Sequence, residues 1–389
     1  MAGGISPDDG GGFIGDEDYQ AGFSEDLSTT LDIDRWDGGL DVERLIARIR
    51  SRITSATDTE EHVRAAVRGK IFPVLKTQTR VPEAGVYEAR ADWLKDLFEG
   101  LLFPGQVEAV NSVAVSHDSL PIGVTQIGVS VVGYGGTSGT FSQRLFRKEM
   151  SARSDDAFNE ALECIRKRHE RSGTSRRDSL SMLARRGIRA YAERAILLDK
   201  AGAEWRIGQG NPCSREMLSG SGYTGLLKAS LGVLRRLIQK HKKFVFVPNA
   251  LEERGYLTLG YALNGGEYAI LQTLESDSAY FVERWQYEDG DRDRALAFVR
   301  ECCPDVLIGL FRASNDAPPY LFYAHREHVH IAAHVALADS ILRPQRGFPM
   351  LLDVADVSCR GVFGSDSFLG LVQDAYTQAG AKFHYLNGR

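Results

Sequence analysis

The chain is short of cysteine, short of proline and without long apolar runs, and each shortage closes off a class of protein. Five cysteines (Cys164, Cys213, Cys302, Cys303 and Cys359) form no CxxC pair and no ladder of spaced partners among 389 residues. A disulfide-stapled secreted scaffold is excluded, and reduced, buried thiols in a reducing compartment are expected. No apolar stretch approaches the roughly 20 residues needed to cross a bilayer, so no membrane partner is expected. The N-terminus is acidic and Gly-rich, with neither a basic start nor an apolar core, and does not match a signal peptide. The expected location is cytoplasmic. There is no basic excess either: 47 Lys and Arg stand against 52 Asp and Glu, for a net charge of −5. That argues against a protein whose whole surface binds nucleic acid. No P-loop, dinucleotide fingerprint or nucleophile elbow is present.

What remains is an ordinary globular composition, 43% hydrophobic and 25% charged, long enough for one large core or two domains. Residues 1–39 are rich in Gly, Asp, Glu and Ser and fit a flexible acidic tail. From 40 to 104 the spacing is helical, with Val42, Leu45, Ile46 and Ile49, then Trp93, Leu94, Leu97, Leu101 and Leu102, at three- to four-residue intervals. This helical preface could support dimer contacts or cover a sheet. From Val107 the pattern turns to strands: Val107–Val115, Val124–Tyr134 and Phe141–Phe146 form a hairpin or meander around a Gly-rich turn. Helices are expected at 155–169 and 179–199, a strand at 204–207, a helix at 225–241 and a strand at 243–247. Further strands are expected at 256–263, 268–274, 307–312 and 320–324. Strands first, then helices alternating with strands, indicate an α/β domain around a mixed sheet.

Charge is bunched even though the total is acidic. Arg144, Arg147 and Lys148 make one group, and Arg166, Lys167, Arg168, Arg171, Arg176 and Arg177 a second. Arg185, Arg186, Arg189 and Arg194 follow, then Arg235, Arg236, Lys240, Lys242 and Lys243. Such clusters suffice for phosphate contacts; balanced, solvated helix faces are the plain alternative.

Four segments could bring metal-binding oxygens together. Val115-Ser116-His117-Asp118-Ser119 ends the first long strand with a carboxylate, or simply with an Asp/Ser turn cap. Arg189-Ala190-Tyr191-Ala192-Glu193 places Glu193 one helical turn after Arg189, where a surface ion pair worth well under ~1 kcal/mol is the alternative. Gly208-Gln209-Gly210-Asn211-Pro212 offers the neutral carbonyl oxygen of Gln209 after a strand. Gly347-Phe348-Pro349 leads into a helix on which Asp353 and Asp356 share a face; acids near a helix N-terminus are also favoured by the dipole alone. Apart from these, His325, His328, His330 and His334 lie within ten residues. They could bind zinc or be surface or DNA-facing donors.

In this order the segments resemble the NurA nucleases, the DNA-end-processing partners of HerA-type ATPases. That family has a Val-Asp-Gly-Ser turn at its opening strand, a helical Arg-x-x-x-Glu and an Asp-Gly after a later strand. It closes with a Gly-Tyr-Pro-like turn followed by Leu and Ala-His. Here Asp118 is displaced from the first acid, Gln209 stands for the second and Asp356 for the histidine. Phe244-Val245-Phe246-Val247 resembles the central family strand, and the likeness spans about Val107 to Gly380.

The resemblance implies a ribonuclease-H-like mixed sheet flanked by helices over 105–389, with 40–104 as a helical N-terminal extension. It implies a metal-dependent DNA nuclease using Mn²⁺ or Mg²⁺, with Asp118, Glu193 and Asp356 as catalytic ligands and Gln209 and Asp353 as lesser ones. Arg144, Arg147, Lys148, Arg185, Arg186, Arg189, Arg235, Arg236 and Lys240 would hold DNA. A homodimer docked on a HerA- or FtsK-like hexameric ATPase is implied, serving DNA-end processing or anti-phage defence. The altered ligands leave a second outcome open: a catalytically silent member that binds DNA and docks on the ATPase.

Overall fold

Val and Ile dominate the run from Val124 to Val132, and a strand buried on both faces needs such a run. In the computed structural model of the protein this run is strand β3 (Gly123–Gly133), buried along ten successive positions. It lies between β2 (Val107–Asp118) and β4 (Gly136–Arg147), antiparallel to both. On the other side β2 pairs in parallel with β5 (Trp205–Gln209), and β5 in parallel with β6 (Phe244–Val247). An antiparallel meander followed by two parallel strands is the ribonuclease-H-like layout expected from the sequence.

The structure describes residues 15–36, 42–119, 122–147, 179–251, 253–288 and 290–384, with 158, 162 and 165. Lys148, the Arg166–Arg177 group and most of the expected 155–169 helix lie outside the described residues. The chain divides into two compact units, Met1–His62 and Val63–Arg389. The first holds the helices Asp16–Phe23 and Leu27–Leu31 and most of the helix Val42–Ala66. The second holds the sheet.

Beyond β6 the sheet continues antiparallel through β9 (Tyr320–His325), β8 (Val306–Phe311), β7 (Glu267–Thr273) and β1 (Gly85–Glu88), for nine strands among the described residues. Two expectations need correction. Gly85–Glu88 falls in the stretch whose spacing reads as helical, yet it forms the edge strand β1, with Tyr87 stacked on Tyr268 at 5.3 Å. Residues 256–263 were expected as a strand and instead form most of a helix, Arg254–Tyr261. Tyr256, Leu259 and Leu263 sit at helical spacing within a run that also fits alternation. Gly260 lets that helix touch Pro319, since a Cβ there would come within 2.5 Å of the proline ring.

Two helices cover β2 and β3. The first, Arg189–Asp199, packs on both strands and buries Ala190, Glu193, Arg194 and Leu197. The second, Met350–Phe363, packs there too, with Phe363 lying so closely over Gly128 that a Cβ on that glycine would come within 2.2 Å of the ring. The helix Thr224–Arg235 buries Leu227, Leu231 and Leu234 and leads towards β6, as its spacing predicts.

Candidate functional site: an arginine-lined cleft

Parallel pairing of β2 with β5 stops at Ala109 and Ile207. Beyond that point β2 continues to Asp118 while β5 ends at Gln209. A cleft of about 400 Å³ lies here, lined by Asn111 and Ser112 of β2, Gln209 of β5, Asn211 and Asn249 in the loops after β5 and β6, and Asp356. Such openings at the carboxyl ends of parallel strands are where α/β sheets bind ligands. Asn111 and Gln209 each sit two residues past the last paired positions, so they project to the same face of the sheet.

Glu193 enters this cleft from the Arg189–Asp199 helix and Asp356 from the Met350–Phe363 helix. Three of the sequence-derived candidates, Glu193, Gln209 and Asp356, are therefore brought together. Each carboxylate is already engaged. Ser112 Oγ donates to Glu193, whose other oxygen lies 3.1 Å from the Arg194 guanidinium. Arg194 is itself buried and donates to the carbonyls of Asn211 at 2.8 Å and Pro212 at 3.3 Å. Asp356 accepts from Arg360 Nε at 2.9 Å and from Asn111 Nδ2 at 3.4 Å.

Asp118 stands apart. Seven residues beyond Asn111 on the same strand, it is roughly 23 Å further along at about 3.3 Å per residue, and it pairs with Arg185 at 3.3 Å. It does not line the cleft. Asp353 does not either: it turns to Arg346 at 2.7 Å and Arg343 at 3.2 Å, and burial raises its carboxyl pKa despite those arginines. A helical turn separates it from Asp356, enough for the two to take different partners.

The site contains groups that the motif patterns do not single out: Asn111, Ser112, Arg194 and Arg360. The signal for the first two was present. Asn111 and Ser112 lie within the stretch read as the strand Val107–Val115, but a search for an acid skips an amide.

The basic residues divide by their partners. Arg186 and Arg189 line the cleft and carry no acidic partner among the described residues. Arg185 is held by Asp118, Arg235 by Glu301 at 3.2 Å and Arg236 by Asp199. Arg144 and Arg147 lie on the edge strand β4, and Lys240 on the helical turn Arg236–His241. Among the lining residues, the arginines 186, 189, 194 and 360 stand against Glu193, Glu216 and Asp356, four positive groups to three negative. Amides occupy the β2 and β5 positions. A pair of hard divalent cations needs a surplus of anionic oxygen, and this donor set does not fit one.

The histidine cluster is dispersed. His330 Nδ1 shares a hydrogen bond with the Tyr268 hydroxyl at 2.9 Å, His334 Nδ1 donates to the His330 carbonyl, and His325 Nδ1 accepts from the Glu327 amide at 3.2 Å. Burial lowers the pKa of His325 and of His330. Among the described residues no group of three or more His, Cys, Asp or Glu side chains is arranged to hold a metal ion.

One buried carboxylate supports the site from behind. Asp339, fully buried, accepts from the Tyr134 hydroxyl at 2.5 Å and from the Leu351 amide at 2.9 Å, fixing the start of the helix that carries Asp356. Burial pushes its pKa up to about 6. Because the folded protein holds this proton more tightly than the unfolded chain does, the associated stability is present below the unfolded carboxyl pKa. It is lost as pH rises through about 6. Relative to Asp339→Asn, the wild type should gain roughly 2–3 kcal/mol between pH 7 and pH 4, read from urea midpoints. Parallel pH profiles for the two proteins would remove this account of Asp339.

No protein-family model matches the chain, and no curated protein sequence matches it. Among solved structures it is similar to the NurA nuclease from Sulfolobus solfataricus, at 9% identity and a TM-score of 0.46, over 85% of this chain and 98% of that one. A NurA structure with manganese aligns at 8% identity and a TM-score of 0.44, over 85% and 98% of the two chains. The catalytic domain of human endonuclease V aligns at 13% identity and a TM-score of 0.31, over 77% and 97%.

Proposed function

We propose that the protein is a divergent NurA-like subunit that binds the phosphate backbone of DNA in the arginine-lined cleft and has lost most or all of its cutting power. The observation that carries this reading is the exchange of charge within the cleft. Asn111 and Gln209 line the cleft with amides, Gln209 where the family motif has an acid, and Arg194 and Arg360 hold Glu193 and Asp356. A guanidinium facing a groove binds phosphate with two parallel hydrogen bonds, and Arg186 and Arg189 are placed to do so. By the motif resemblance the subunit would pair with a second copy and dock on a HerA-type hexameric ATPase, in DNA-end processing or anti-phage defence.

A second reading is favoured by one observation. Glu193 and Asp356 reach the same cleft from separate helices, and Arg360 is largely exposed, so it could swing off Asp356. In that reading the protein is a Mn²⁺- or Mg²⁺-dependent deoxyribonuclease. The deciding assay incubates linear and circular DNA with Mn²⁺ or Mg²⁺ and measures DNA binding in EDTA alongside. Intact DNA with binding retained in EDTA is expected. Metal-dependent cutting that Asp356→Ala abolishes would overturn the silent reading and establish the nuclease.

A further inference from the structure

Beside its charged groups the cleft carries uncharged ones that nothing in the fold uses. Gln209 closes β5 opposite Val247 of β6, and Asn249 follows Val247 by two residues. Both amides therefore stand at the carboxyl ends of adjacent parallel strands, and both line the cleft. Neither side chain has a hydrogen-bond partner among the described residues. Ser214, in the loop after β5, lines the cleft too, and its buried Oγ is likewise without a partner. Buried polar atoms are normally paired, so an orphan in a cleft wall points to the polar atoms of a ligand.

Arginines hold the phosphates of DNA, and the part of DNA rich in uncharged donors and acceptors is the base. A cleft of about 400 Å³ is at the small end of ligand sites, which span roughly 300–1,000 Å³. It has room for one nucleotide and not for a base pair with its two backbones, so the base it meets is unpaired. An amide sets one donor beside one acceptor and pairs bidentately with a base edge that offers the complement. Two free amides are satisfied together by a base with two such edges. Adenine has them, N1 with N6 on its pairing edge and N7 with N6 on its major-groove edge. On the latter edge guanine offers two acceptors, and the pyrimidines offer no such pair. We infer that the cleft seats one unpaired nucleotide and that Gln209 and Asn249 select adenine as its base. The inference rests on the proposal that the cleft binds DNA.

The probes are fluorescent DNA hairpins with one unpaired terminal nucleotide, 3′ or 5′, carrying adenine, guanine, cytosine, thymine or no base. Anisotropy in EDTA should show the adenine probe of one polarity binding about 10-fold more tightly than the pyrimidine and abasic probes. Asn249 is exposed, so replacing it leaves the core untouched. Asn249→Ala, and Gln209→Ala separately, should shrink that ratio to about three-fold or less. The ratio between probes is the readout, since a misfolded variant loses all of them alike. Equal affinities for all the probes, or an adenine preference that survives both variants, would overturn the inference. The cleft reading is then decided separately, by whether Arg186→Glu with Arg189→Glu still weakens binding. Failure of every probe to bind would overturn both.

Discussion

Protein carrying Arg186→Glu and Arg189→Glu binds duplex DNA at least about 100-fold more weakly than wild type at low salt, because each phosphate contact contributes through counterion release. The slope of log affinity against log salt falls by about 2 as well, one unit per lost contact. Both arginines line the cleft without an acidic partner among the described residues, so their charge is available to a phosphate. The matching control is Arg235→Glu with Arg236→Glu. These side chains already face Glu301 and Asp199 on an outer surface, and reversing them should weaken binding no more than a few-fold. Fluorescence anisotropy with a labelled duplex over a salt series measures all of this. Equal losses for the two double variants would remove the cleft as the DNA site.

The second large effect concerns Arg194. Its guanidinium is buried, lies 3.1 Å from Glu193, donates to backbone carbonyls in the loop after β5 and stacks 5.6 Å from the centre of the Phe246 ring. Arg194→Met keeps the length of the side chain but leaves a buried carboxylate uncompensated and several carbonyls without donors. Breaking a buried pair from one side costs roughly 3–5 kcal/mol. Urea unfolding should therefore show a large fall in midpoint. Adding Glu193→Gln to that variant should recover part of it, since the stranded charge is then gone. A single variant within about 1 kcal/mol of wild type would mean that water reaches Glu193, and the buried pair would not be the keystone of the cleft.

The cleft was only half visible in the residues. Glu193, Gln209 and Asp356 could be picked out because each follows a local pattern, a helical Arg-x-x-x-Glu, a strand-ending Gly-x-Gly and a Gly-Phe-Pro turn. Asp118 satisfies the same logic and lies far up the strand instead. An acid at a strand end stands out in sequence, whereas an amide in mid-strand does not. Nor could local pattern reveal that Arg194 and Arg360 would hold the carboxylates. That depends on which face of each helix lies against β2, and both helices are placed by packing, Phe363 on Gly128 among its contacts.

The alternation of strands and helices, the buried β-branched run of β3 and the amphipathic helix before β6 were all determined by the order of residues. Each depends on periodicities of two or about three and a half residues that neighbours impose on one another. Tertiary structure alone decided where β2 parts from β5, that Gly85–Glu88 would edge the sheet, that 256–263 would coil rather than extend, and which charges would meet in the cleft. Those outcomes turn on contacts between segments up to about 250 residues apart, such as Asn111 with Asp356. Their free energies come from burial and charge pairing across the sheet, and no local stretch of sequence carries that information.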